Sequence, residues 1–152
     1  MKKLLILSDT HGNISAMEKL KNIMAESDYI IHLGDNEKDI NLYREFSQKI
    51  FSVLGNCDGG GSDKTIEIEG LKILLTHGDK YRVKSGITNL FFHAKEIGVN
   101  VVMFGHTHSS FIEELEGITF INPGALKGYF DKSYCYAVIY NGKITAKIVN
   151  VN

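Results

Sequence analysis

The chain has 152 residues, 43% of them hydrophobic, with 17 Lys plus Arg against 18 Asp plus Glu for a formal charge of −1 at pH 7. This fits one domain over 1–152 whose core needs no staples, and it excludes the broad charged field that would mark a nucleic-acid or anionic membrane surface. Cys57 and Cys135 are the only cysteines, too few for a disulfide framework, and no apolar run approaches a secretory h-region or the ~20 residues of a membrane span, so the expected setting is soluble and cytoplasmic.

The first predicted element is a buried strand, Leu4-Leu5-Ile6-Leu7, that runs into Ser8-Asp9-Thr10-His11-Gly12-Asn13. Alternate residues of an extended chain point the same way, so Asp9 and His11 would aim at one spot beyond the strand end. Taken alone they also read as an ordinary capped turn, since Asp and Asn cap helices and His is common in turns. Ile14, Met17, Leu20, Ile23 and Met24 then recur with helical spacing. Tyr29-Ile30-Ile31-His32-Leu33 repeats the design and ends in Gly34-Asp35-Asn36, with His32 reading as a core imidazole. Ile40, Tyr43 and Phe46 share a helical face, and residues 50–54 lead into Gly55-Asn56-Cys57-Asp58. Strands alternating with helices imply right-handed crossovers and parallel pairing, which brings these ends to one sheet edge, where open α/β sheets take their ligands.

Gly59-Gly60-Gly61-Ser62 reads as a linker beside that edge, or else as a substrate-entry rim. Residues 65–68 and 71–75 form a predicted hairpin across Glu69-Gly70, and its second strand ends in Thr76-His77-Gly78-Asp79. Residues 85–97 read as a helix closed by Gly98. Residues 99–104 form a further strand, ending in Gly105-His106-Thr107-His108 with two imidazoles again at i and i+2. Residues 111–115 and 118–121 suit a hairpin, followed by the fixed turn Asn122-Pro123-Gly124-Ala125. Residues 133–140 and 143–151 flank Asn141-Gly142 as a last hairpin. The expected architecture is α/β, a four-layer α/β/β/α sandwich of two mixed sheets with flanking helices and a dinuclear metal site at strand carboxyl ends.

Asp9, His11, Asp35, Asn56, His77, His106 and His108 all follow predicted strands. A set of imidazoles and carboxylates without thiolate suits borderline-to-hard divalent ions, Mn²⁺ foremost, with Fe²⁺, Zn²⁺ and Ni²⁺ as alternatives. So many donors exceed what one catalytic ion with open positions can use, which implies two ions.

The segments Asp9-x-His11, Gly34-Asp35, Gly55-Asn56-x-Asp58, Thr76-His77-Gly78 and Gly105-His106-Thr107-His108 resemble, in order and spacing, the motif series of the calcineurin-like metallophosphoesterases. The short chain, the Asn-Cys-Asp variant and the Asn122-Pro123-Gly124 turn are most similar to the small bacterial and archaeal phosphodiesterases of that superfamily. The resemblance implies that Asp9, His11 and His108 hold one ion, that Asp35 bridges, and that Asn56, His77 and His106 hold the second. It implies hydrolysis of a small-molecule phosphodiester by a bridging hydroxide attacking phosphorus directly. One departure is Cys57, where many larger members carry a His thought to protonate the leaving group. A thiol is a poor substitute at neutral pH, so activated or aryl leaving groups are expected. Asp58 reads either as an orienter of a metal-bound imidazole or as a turn-capping carboxylate, and it stands with Asp35, Asn56 and Cys57 in the expected catalytic group.

His93, Asp39, Asp63 and Asp79 carry no signal beyond packing or surface, while Tyr81, Tyr129 and Phe130 read as packing caps or as pocket lining. The rival reading of the whole is a non-catalytic scaffold of the same fold. A nucleotide-binding domain is disfavoured because neither a Walker loop nor GxGxxG follows the first strand. Oligomerisation is left open.

Overall fold

Strand β1, Lys2–Leu7, shows how the layers are set. Leu4 to Leu7 are all fully buried in the computed structural model, which describes residues 1–127 and 131–151. Leu4 and Ile6 enter a core between two sheets, whereas Leu5 and Leu7 enter a second core beneath the helices. The strand period of two therefore sorts consecutive apolar residues into separate layers.

The same sorting runs through the chain. In β2, Tyr29–His32, Ile31 faces the central core and Ile30 the helix side. Ile73 and Leu75 of the strand Leu71–Leu75 face the central core while Leu74 faces away. Numbering on, β3 is Ile50–Ser52, β4 Lys64–Ile68, β5 Leu71–Leu75, β6 Val101–Met103, β7 Phe111–Leu115, β8 Ile118–Asn122, β9 Ser133–Tyr140 and β10 Lys143–Asn150. The sheets run β10-β9-β1-β2-β3 and β4-β5-β6-β8-β7. Pairing is parallel for β1 with β2 and β2 with β3, and for β5 with β6 and β6 with β8; the remaining pairs are antiparallel. Two mixed sheets with helices outside them make the α/β/β/α sandwich expected, and the three predicted hairpins lie at its edges.

Helical segments depart from expectation. The predicted helix over residues 14–24 is two short ones, α1 (Ile14–Glu18) and α2 (Lys21–Glu26). Leu20 donates to the Met17 carbonyl at 2.9 Å, an i→i−3 bond that tightens the chain between them. Residues 37–49 form two 3₁₀ helices, Glu37–Leu42 and Arg44–Lys49. Ile40, Tyr43 and Phe46 are spaced by three, which is the 3₁₀ period rather than the α period. Helix α3 spans Thr88–Ile97 rather than starting at Ser85, because Gly86 at φ 121 separates it from the 3₁₀ turn Val83–Ser85. No helix among the described residues is long and apolar enough to cross a membrane. Tyr129 and Phe130 lie outside the described residues.

Candidate metal centre

The sheets stop short of the candidate ligands. β1 ends at Leu7 and β6 at Met103, and the chain then turns through left-handed backbone at Asp9 (φ 52), His11 (φ 43), His106 (φ 71) and His108 (φ 63). Asp35, beyond β2, has φ 64. The members of each i, i+2 pair therefore converge through αL turns, not through strand alternation as their spacing suggests. Such a conformation costs roughly 1–2 kcal/mol per non-glycine residue and persists only where surroundings enforce it.

Those surroundings are specific. Asp9 is fully buried, and its Oδ2 accepts the Ser8 hydroxyl at 2.6 Å and the His106 backbone N–H at 3.1 Å. Its Oδ1 has no hydrogen-bond partner, and lies 3.1 Å from His108 Nε2 and 3.8 Å from His11 Nε2. Asp35 is built alike: Oδ1 accepts the Cys57 N–H at 2.9 Å, while Oδ2 faces His11 Nε2 at 3.6 Å and His77 Nε2 at 3.4 Å. One oxygen of each carboxylate is tied to the backbone and the other is turned toward imidazoles. The His77 Nδ1–H donates to the Leu33 carbonyl at 2.7 Å, so Nε2 presents a lone pair. His106 Nδ1 lies 3.2 Å from that same Nε2.

Two sets result, Asp9, His11, Asp35 and His108, then Asp35, His77 and His106, with the donor atoms of each set within 4.8 Å of one another and Asp35 common to both. Asn56 is exposed at the start of the 3₁₀ turn Asn56–Asp58, beside the Cys57 N–H that holds Asp35. The buried Asp9 Oδ1 and His11 Nε2 lack hydrogen-bond partners, a state that is costly unless a cation meets them. The residues thus fit a pair of divalent ions. Burial pushes the pKa values of His106 and His108 down, favouring the neutral imidazole that ligates. Burial alone would raise that of Asp35, yet the Cys57 N–H and the neighbouring His77 hold it below its usual value.

A set of side chains fixes these turns without entering either set. The Asp58 carboxylate accepts the backbone N–H groups of Asp35 and Asn36 at 2.8 Å each, Gly55 at 2.9 Å and, at longer range, Glu37. The structure thus gives it a turn-capping geometry. Asp39, which carried no sequence signal, is buried and accepts from the Thr10 hydroxyl at 2.7 Å and the Gly12 N–H at 2.8 Å. Asn122 is fully buried and donates to the Gly105 carbonyl at 3.1 Å and to Thr107 Oγ1 at 3.0 Å, anchoring the loop that carries His106 and His108. A Cβ at Gly105 would run into Ser8 Oγ and Asp9 Oδ2, and one at Gly55 into Asp35; both glycines serve close approach.

Cys57 is exposed, its Sγ 3.8 Å from Asn56 Nδ2, and desolvation together with the Asp35 carboxylate pushes its thiol pKa up. His32 lies in the core as expected and His93 stacks on Tyr81. Tyr81 is tied by its hydroxyl to Asp63 at 2.6 Å, a packing role.

A family model for the calcineurin-like phosphoesterase superfamily domain matches residues 1–142. The chain is 36% identical over 128 residues to the probable metallophosphoesterase YsnB of Bacillus subtilis, which covers 81% of this chain and 74% of YsnB. It is 28% identical over 153 residues to phosphodiesterase MJ0936 of Methanocaldococcus jannaschii, covering 84% and 86% of the two chains. Among solved structures, Vps29 from Entamoeba histolytica, complexed with Zn²⁺, matches with a TM-score of 0.76 at 19% identity over 99% of both chains. That last likeness is one of fold.

Proposed function

Because the chain belongs to the calcineurin-like phosphoesterase superfamily, we propose that it is a dinuclear metal-dependent phosphodiesterase acting on small-molecule phosphodiesters. The observation that carries this reading is the pair of buried, unpartnered donors, Asp9 Oδ1 and His11 Nε2, gathered around the shared Asp35. Asp9, His11 and His108 would hold one divalent ion, Asn56, His77 and His106 the other, with Asp35 between them and Mn²⁺ the foremost candidate. Such ions supply Lewis acidity toward phosphoryl oxygens and lower the pKa of water near the phosphorus.

The chain's own residues do the positioning. Asp35 and Asp9 each spend one oxygen on backbone N–H groups, which fixes where the other points. His77, locked by Leu33, keeps its Nε2 lone pair aimed inward. The Ser8 hydroxyl, bonded to Asp9 Oδ2, is fully buried and closed to a substrate, so the reading is direct hydrolysis by water without a phospho-enzyme. Cys57, with its raised thiol pKa, stays protonated at neutral pH and is a weak proton donor to a leaving group, so aryl or otherwise activated esters are the favoured substrates.

The test is to strip the purified protein with chelator, restore Mn²⁺ and assay bis(p-nitrophenyl) phosphate. Metal-dependent turnover is expected. Its absence in a folded, metal-loaded protein would favour the second reading, a non-catalytic scaffold, toward which the Cys57 departure points.

A further inference from the structure

A cavity of about 650 Å³ opens beside the candidate metal centre. Thr107, which stands between His106 and His108 in the chain, lines it together with Lys84, Ile87, Phe104, Phe111 and Leu115. The candidate ligands do not line it, but its wall is joined to them through the chain. Phe104 is buried and leads directly into the loop that carries His106, and a Cβ on Gly78, next to His77, would meet Val83 of the cavity wall at 3.0 Å. Phe104 and Phe111 meet edge-on with centroids 6.2 Å apart, and Asn122 donates to the Thr107 hydroxyl at 3.0 Å, which ties this wall to the buried core. Lys84 follows Val83, the residue a Cβ on Gly78 would meet, lines the cavity and makes no ion pair among the described residues. Glu113 sits on the same face of β7 as Phe111 and Leu115 and also lines the cavity.

Resting on the phosphodiesterase reading above, we propose that this cavity receives an uncharged, ring-bearing organic group of the phosphodiester while the phosphoryl group occupies the centre. The apolar wall offers burial of a ring. Lys84 favours the anion at the end near the ligand loop, and Glu113 disfavours a second anionic group farther along the cavity. The substrate class is thus a diester with one aromatic or similarly flat apolar substituent.

Diphenyl phosphate and dimethyl phosphate carry the same anion with and without rings, which makes them suitable probes for NMR titration of the Zn²⁺-loaded protein. Diphenyl phosphate is expected to shift the Ile87 and Leu115 methyl resonances and to bind at least about tenfold more tightly. Ser110→Trp, which fills the cavity from its exposed rim, should erase that preference, and Lys84→Ala should weaken both probes. Shifts confined to other methyl groups, or a ring preference that survives Ser110→Trp, would overturn the assignment. Binding is read here without turnover, so a protein that keeps the ring preference but hydrolyses nothing supports the cavity and counts only against the hydrolase reading.

Discussion

Asp58 and Asp35 grip each other's loops. Asp58 Oδ2 accepts the Asp35 backbone N–H at 2.8 Å, and Asp35 Oδ1 accepts the N–H of Cys57, the residue before Asp58, at 2.9 Å. The left-handed backbone at Asp35 and Asn36 (φ 64 and 60) is enclosed by this pair. Asp58 is therefore placed to act on the proposed centre through Asp35, as a positioning residue.

Replacing it should separate positioning from ligation. Asp58→Ala removes the acceptor for several backbone N–H groups at once, and loss of a carboxylate that orients a ligand costs about 10–100-fold in metal affinity or activity. Asp58→Asn, which keeps one acceptor oxygen, should fall between. Calorimetric metal titration of the three proteins checks the order; equal affinities for wild type and alanine variant would remove Asp58 from the positioning set.

Metal stoichiometry distinguishes the two sets. Wild type should bind two equivalents of Mn²⁺, His77→Ala should lose one, and Asp35→Asn should weaken both, since only Asp35 belongs to both sets. His77 is buried and bonded to the Leu33 carbonyl, so its alanine variant should also lose about 1–3 kcal/mol of stability. Two tight equivalents retained in His77→Ala would place the second ion elsewhere.

Metal removal should also be visible without any substrate. A site held at a hundred times its Kd adds about 2.7 kcal/mol to the folded state, which raises the unfolding midpoint by roughly 5–10 °C in a chain of this size. Thermal melts with chelator and with added Mn²⁺ read this directly. A midpoint indifferent to both would mean that Asp9 Oδ1 and His11 Nε2 are buried without a cation to meet them.

Why some of this could be read from residues and some could not follows from the range of the forces involved. Apolar runs such as Leu4 to Leu7 stop where donors begin, so the strand ends and their acids and imidazoles were legible locally. The left-handed turns at Asp9 and His106 were not, because they are enforced by contacts such as that between His106 N–H and Asp9, 97 residues apart. Asp39 and Asn122 matter through bonds to Thr10 and Gly12 and to Gly105 and Thr107. Nothing in their own neighbourhoods announces those partners. From Ile40 to Phe46 a spacing of three keeps one apolar face in an α and in a 3₁₀ helix alike over so short a stretch, so the spacing alone marks a helix without its type.

His32 gives a pH prediction. The Gly34 N–H donates to its Nδ1 at 3.1 Å, so Nε2 carries the proton and donates to Thr10 at 3.0 Å, and Thr10 in turn donates to Asp39 at 2.7 Å. Burial pushes its pKa from 6.5 down to about 4. Between those values the unfolded chain takes up a proton that the folded chain refuses, so this contribution to stability is complete above pH 6.5 and is lost as pH falls toward 4. The loss amounts to ~3 kcal/mol at the lower end. His32→Asn keeps an acceptor for Gly34 but cannot titrate; denaturant unfolding from pH 7 to 4.5 should show a steeper fall for wild type than for the variant, and parallel profiles would refute the assignment.

The proposed reaction makes a leaving-group prediction at Cys57. The thiol is exposed at the edge of the centre, next to Asn56, with its pKa raised rather than lowered. It can neither act as a ready thiolate nor match an imidazole as a proton donor near neutral pH. A p-nitrophenolate needs no proton to depart, whereas an alkoxide does. Wild type should therefore hydrolyse bis(p-nitrophenyl) phosphate far better than a dialkyl phosphate, and a well-placed general acid contributes about 10²–10⁴-fold. Cys57→His should raise kcat/KM for the dialkyl ester by at least about tenfold while changing the aryl ester little, since only the former waits on a proton. Equal efficiency of wild type on both esters, or a histidine variant with no gain on the alkyl one, would show that position 57 does not set which leaving groups this centre can release.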